Sequence, residues 1–173
     1  MMEFARLYVR IVDAVNYRIG RVMMYSLFVM FAVLLWSSIS KTFFYPSLWT
    51  LEVAQFLLVA YYILGGPYSL QLGANVRMDL LYADWSMKKK AWFDAFTVFF
   101  LIFYLSVLLY GAIDSTTYSF QYNERSPTAW RPHLWPIKVI MCCGIFLMML
   151  QAISELFKDI AKIKGVKIKG EDL

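Results

Sequence analysis

Charged residues fall along this chain in bursts, and between the bursts lie four stretches that carry none: Val22 to Ser40, Val53 to Val76, Ala95 to Ile113 and Val139 to Ser154. They are 19, 24, 19 and 16 residues long. An α-helix rises about 1.5 Å per residue, so crossing a hydrocarbon core of roughly 30 Å takes about 20 apolar residues. All four stretches meet that need, the last with help from its interfacial neighbours. The pattern predicts an all-α integral membrane protein with four transmembrane helices, over about residues 22–40, 50–72, 93–113 and 135–156. Ahead of the first span, Glu3, Arg6, Arg10 and Asp13 share one helical stripe, while Phe4, Leu7, Tyr8, Ile11 and Val15 share another. That division predicts an N-terminal amphipathic interfacial helix over residues 1–21, apolar side down on the membrane. A short cytoplasmic extension of the first span is the alternative. No small-x-small cleavage site follows Val33 to Ser40, so the first span is expected to be retained rather than removed as a leader.

Composition strengthens this reading. Apolar residues make up 61% of the 173 residues and charged ones only 17%, well beyond the roughly 45–50% apolar content of soluble domains. One membrane domain, residues 1–173, uses up the chain, with residues 157–173 as a cytoplasmic tail. Thirteen of the seventeen Lys and Arg residues lie in the N-terminal segment, the central loop and the C-terminal tail. Positive residues resist translocation, so both termini are expected in the cytoplasm, N-in and C-in. The net charge of +5 then meets anionic headgroups of membrane lipids, with no need of nucleic acid.

Residues able to carry chemistry are few. His133 is the sole histidine, which excludes paired-imidazole haem ligation or a His-rich metal site within the chain. Cys142 and Cys143 are adjacent in the fourth stretch with no second pair, and read as buried small hydrophobes rather than redox thiols. No nucleotide-binding glycine motif and no Ser/His/Asp set appears. An ion-coupled pump places ionisable groups at mid-membrane, and none of the four stretches does so. Glu52 comes nearest, at the outer end of the second span beside Trp49 and Gln55, where it is expected to reach water or to contact another helix or subunit. No catalytic, metal or cofactor site is expected.

The second span and the loop after it are more specific. Trp49-Thr-Leu-Glu52 opens the helix, and Gly65-Gly66-Pro67-Tyr68 thins and kinks its inner end. Gly73-Ala-Asn75-Val76-Arg77-Met78-Asp79 then reaches the cytoplasmic boundary, where Asp79 is placed to cap a short segment, Leu80 to Trp85. Asn123-Glu124-Arg125-Ser126-Pro127, then Trp130, Pro132, Trp135-Pro136 and Lys138 fill the second outer connection, and Leu150-Gln151 lie in the last span. In order and spacing, over about residues 20 to 158, these motifs resemble the DctQ-type small membrane subunit of tripartite ATP-independent periplasmic (TRAP) transporters. That family shows an aromatic-x-x-Glu opening and a Gly-x-His-Val-Arg-Val-Asp-like signature. Here Asn75 replaces the histidine and Met78 a valine, so no role of that histidine carries over.

The resemblance implies a secondary transporter of the bacterial or archaeal inner membrane, in which a periplasmic binding protein delivers an organic anion. A large membrane subunit would hold the sodium and substrate sites and move as an elevator, while the small subunit clasps it as a scaffold. On this view Trp49, Glu52, Gln55, Gly65, Gly66, Arg77 and Asp79 are candidate subunit-interface residues. Glu124, Arg125 and Arg131 are candidates for docking the binding protein. Lys138 opposes the dipole of the fourth helix and is expected to have an anionic partner or to snorkel outward. Two other readings remain: a small homodimeric exporter, and an anchor subunit of a membrane enzyme complex.

Overall fold

The computed structural model describes residues 2–73 and 87–163. They form four helices, α1 (Met2–Phe43), α2 (Thr50–Gln71), α3 (Met87–Gln121) and α4 (Trp135–Ile163). Each contains a segment long and apolar enough to cross a membrane. Asn75, Arg77, Asp79, the Leu80 to Trp85 segment and the tail beyond residue 163 lie outside the described residues.

Contacts between distant residues set the order of the helices. Ser37 near the end of α1 meets Thr50 at the start of α2. Thr128, in the connection from α3 to α4, bonds Glu52 in the first turn of α2. At the opposite end, Asp13 and Asn16 of α1 meet Gln151 and Lys158 of α4. The two short connections therefore share one end of the bundle, the loop end, and the outermost turns of α1 and α4 share the other, the terminal end. α4 packs against the other three helices, while α3 rests chiefly on α4. Leu105 of α3 buries itself against Ile145 and Ala152 of α4, with Ile102, Leu109 and Met149 around them.

Helix boundaries differ from the sequence reading where charged residues continue a helix that apolar content alone would end. Residues 2–21 are not a separate element: α1 runs unbroken for 42 residues, about 63 Å at the usual rise. Its first half has a partner, because Val9, Val12, Asp13 and Asn16 are buried. Asp13, assigned to an outward polar stripe, instead turns into the bundle. Leu7, Ile11 and Val15 stay exposed within the chain, as an apolar face without a protein partner requires. At the far end of the chain, residues 157–163 continue α4 rather than begin a tail. Phe157 stacks edge-on against Tyr8 with ring centroids 5.7 Å apart, and Ala161 is buried.

Glycine explains how closely the helices approach. Pro67 lies inside α2 and cannot donate to the carbonyl one turn earlier, that of Ile63. Gly144 of α4 packs against this same carbonyl. A Cβ at position 144 would come within 3.1 Å of the Ile63 carbonyl carbon and oxygen and 2.2 Å of its Cγ2. Gly20 of α1 receives the Tyr68 ring in the same way, with 2.2 Å left for a Cβ. Gly66 meets only the flexible tip of Met148, and Gly65 meets nothing within 4 Å. The helix crossings thus use Gly20 and Gly144, not the Gly65-Gly66 pair that stood out in the sequence.

Candidate functional site

Two polar assemblies organise the ends of the bundle. At the terminal end, Gln151 of α4 is fully buried and uses both halves of its amide. Its Oε1 accepts from Asn16 Nδ2 at 2.7 Å, and its Nε2 donates to Asp13 Oδ1 at 3.0 Å and Glu155 Oε1 at 3.2 Å. Ser154 donates to the same Asp13 oxygen at 3.1 Å. Lys158 then closes the cluster, with Nζ 2.8 Å from both Asp13 Oδ2 and Glu155 Oε1. Above it, the Tyr8 hydroxyl donates to the Leu150 carbonyl. Groups this dry need partners and, Asn16 Oδ1 apart, find them in one another among the described residues, so the cluster ties the first half of α1 to the last half of α4. Sequence reasoning missed it: Asp13 and Asn16 lie some 140 positions from their partners, and Gln151 looked like a family mark without a role.

At the loop end, the connection from α3 to α4 is a fixed structure. Asn123 takes a left-handed conformation (φ 47°), and the Glu124 N–H donates to the Ser119 carbonyl, a Schellman-type close to α3. Arg125 and His133 then pair as an isolated antiparallel bridge. Ser126 N–H donates to the Pro132 carbonyl at 2.9 Å, and Leu134 N–H to the Glu124 carbonyl at 3.0 Å. Arg131 (φ 51°) makes the tight return.

Within this loop the three docking candidates part company. Glu124 is half-exposed yet engaged within the chain, accepting from the Ser119 hydroxyl and pairing with Lys138 at 2.7 Å. The Lys138 ammonium, with help from Ser119, holds the Glu124 carboxyl below its ordinary value. Lys138 thus has the anionic partner its position in the first turn demands, which offsets the helix dipole. Arg125 and Arg131 remain exposed, with the half-exposed Trp130 between them in sequence. Since Glu124 is committed internally, the outward charge at these three positions is positive.

The interface candidates also separate. Glu52 does not reach water: it is 5% exposed, and its Oε1 accepts from the Thr128 hydroxyl. Its Oε2 is buried with no hydrogen-bond partner among the described residues. Trp49 precedes α2 and caps it without a side-chain bond, and Gln55 is exposed one turn on. Thr50, between them, lies 3.0 Å from Ser37 Oγ and 3.1 Å from the Ser47 carbonyl oxygen, which binds α2 to α1. Gly65 and Gly66 line an open groove of about 440 Å³ with Gly20, Met23, Met24, Tyr61 and Tyr68. Along α3, Phe96, Phe99, Phe100, Phe103, Tyr104 and Tyr110 are exposed among the described residues.

Among the described residues no group of three or more His, Cys, Asp or Glu is placed to hold a metal ion. Cys142 lies 3.2 Å from the Thr116 hydroxyl, and Cys143 is exposed rather than buried. The described residues thus assemble helix-to-helix ties and uncovered faces.

Comparison with known proteins gives this architecture its family. The family model for DctQ, described as the DctQ component of tripartite ATP-independent periplasmic transporters, matches residues 19–162. No curated protein and no solved structure matches the chain significantly. The matched stretch holds α1 from residue 19 on, α2, α3 and nearly all of α4, the loop carrying Arg125 and Arg131, and the α4 side of the Gln151 cluster, while Asp13 and Asn16 precede it. The chain belongs to the DctQ family, the small membrane component of TRAP transporters.

Proposed function

We propose that this chain is the static scaffold of a TRAP-type transporter. It holds a large, moving subunit in the inner membrane with both its own termini in the cytoplasm, as the distribution of Lys and Arg favours. The large subunit would contain the sodium and substrate sites for uptake of an organic anion, leaving this chain without cofactor or catalytic role. One observation carries the reading: the buried polar groups Asp13, Asn16, Gln151 and Ser154 bond to one another across α1 and α4. Polar groups used in this way fix helices in place, whereas a transport pathway needs groups that exchange partners with a cargo. The exposed face of α3, with Trp49 and Gln55 at the start of α2, offers the large subunit its contact, and Glu52 beneath them holds the loop at Thr128. Arg77 and Asp79 would extend that contact at the cytoplasmic boundary.

The decisive experiment is purification of the tagged chain from native membranes in mild detergent. The expected result is a many-span hydrophobic subunit at about one-to-one. A lone homodimer with transport activity of its own would reject the scaffold reading.

The loop end supplies a second expectation, that Arg125 and Arg131 meet acidic groups on the periplasmic binding protein. Reversing both charges (Arg125→Glu with Arg131→Glu) should weaken docking by about tenfold to a hundredfold, since each rim charge contributes about 1 kcal/mol and each reversal adds repulsion. Glu124→Gln should act through Lys138 and loop order instead. Docking measured at low and high salt checks this, and an unchanged dissociation constant for the double reversal removes the loop from the docking surface.

A further inference from the structure

The groove beside Gly65 has a composition and a position that the scaffold role does not use. Its walls are Met23 and Met24 from α1, Tyr61, Tyr62 and Gly65 from α2, and the tip of Met148 from α4. Counting from Thr50 at the loop end, Tyr61 and Gly65 lie about 17 and 23 Å along α2, in the far half of a roughly 30 Å hydrocarbon core. What fills it must therefore be apolar along most of its length. At the terminal end of the groove the chemistry changes. Tyr68 lines the groove, and its ring packs 5.7 Å from that of Tyr17. Arg21 lies over the other ring, its guanidinium carbon 4.6 Å from the Tyr17 centroid, and donates to the Tyr17 hydroxyl. Arg21 is exposed, and no carboxylate pairs with it among the described residues.

An apolar trough at membrane depth, ending in an arginine fixed at the headgroup level, matches one kind of molecule. We propose that this groove binds an anionic phospholipid of the leaflet at the terminal end. One acyl chain lies between Met24, Tyr62 and Gly65, and the phosphate is held by Arg21. Two features favour a lipid over a helix of a partner protein. The positive charge of Arg21, which no carboxylate offsets among the described residues, sits where a phosphate would be, and arginine binds phosphate oxygens with two parallel donors. The walls are also largely methionine and tyrosine side chains, which adapt to a flexible chain. Gly65 leaves the width such a chain needs, since nothing lies within 4 Å of its missing Cβ. The proposal stands whether or not the scaffold reading does.

The test is native mass spectrometry of the full chain, stripped of lipid in detergent and titrated with dioleoyl phosphatidylglycerol or dioleoyl phosphatidylcholine. The wild-type chain should retain phosphatidylglycerol at lower concentrations than phosphatidylcholine. Arg21→Gln should weaken phosphatidylglycerol binding about tenfold, the effect of losing one charge-assisted hydrogen bond of modest strength, with phosphatidylcholine unaffected. Gly65→Leu, which fills the groove, should reduce both adducts, while Arg18→Gln on the neighbouring exposed position leaves both alone. Gly65 faces open space and Arg21 is exposed, resting on Tyr17, so melting temperatures should stay near the wild type; Gly65→Met serves as the second filling variant. Equal binding of the two lipids, or adducts unchanged by Arg21→Gln and Gly65→Leu, overturns the proposal. So does loss of a co-purifying large subunit in Gly65→Leu with lipid adducts intact, which gives the groove to a partner helix.

Discussion

Replacing Lys158 with methionine should destabilise the chain by about 3 kcal/mol, the lower end of the range for removing one partner of a buried ion pair. The substitution keeps the length and apolar stem of the side chain, so packing is little changed. It leaves the carboxylates of Asp13 and Glu155, each now bonded at 2.8 Å to Lys158, without a cation. Neutral contacts in the same cluster matter far less, because interhelical hydrogen bonds in membranes average only about 0.6 kcal/mol. Ser154→Ala should therefore cost under about 1 kcal/mol, even though it touches the same Asp13 oxygen. For a chain of this size, 3 kcal/mol corresponds to a fall in Tm of roughly 6–12 °C, readable by tryptophan fluorescence in detergent. Combining Asp13→Asn with Lys158→Met should recover part of the loss, since one of the two stranded charges is gone. Equal effects of Lys158→Met and Ser154→Ala would show that the charges are hydrated and the pair is weak.

The second large effect belongs to glycine. Gly144→Ala should cost about 1–3 kcal/mol and Gly144→Leu should prevent assembly of the bundle, because an added carbon meets backbone atoms of Ile63 that cannot turn aside. Gly65→Ala should be neutral or stabilising by up to about 1 kcal/mol, as alanine is the better helix former and the space around it is open. Gly66→Ala should fall between, since Met148 can swing its terminal methyl away. Monodispersity and Tm of the three alanine variants would rank them. A ranking with Gly65 most sensitive would mean that α2 and α4 do not cross where Ile63 and Gly144 meet.

Much of this architecture was written in the chain's spacing of charges. The four spans, with starts near residues 50 and 135, follow from hydrophobic length alone, because a bilayer imposes the same thickness on every helix. Less legible was where each helix stops. Lys, Glu and Asp end an apolar run without ending a helix, so α1 joins residues 2–21 to the first span and α4 reaches Ile163. Least legible were the tertiary ties. Periodicity placed Asp13 with Arg6 and Arg10 on a solvent stripe, since a single helix gives no sign of a partner as distant as Lys158. Glu52 was placed at the right end of its span but in the wrong surroundings, because its cover, Thr128, comes from a loop whose path depends on left-handed Asn123 and Arg131. A clue to Gly144 did exist in Pro67, which leaves the Ile63 carbonyl without its usual donor and calls for a small residue opposite.

The cluster around Gln151 also joins residues made at different times. Asp13 is made before Lys158, with 144 residues between them, so Asp13 enters the membrane region well before its partners exist. At roughly 5–20 residues per second, the ribosome takes on the order of 10 s or more to add the intervening sequence. Throughout that interval α1 carries an acid and an amide with no protein partner, and a chain cut short before α4 never acquires one. α4 thus completes α1: until it is made, Asp13 and Asn16 lack the partners they have in the folded bundle.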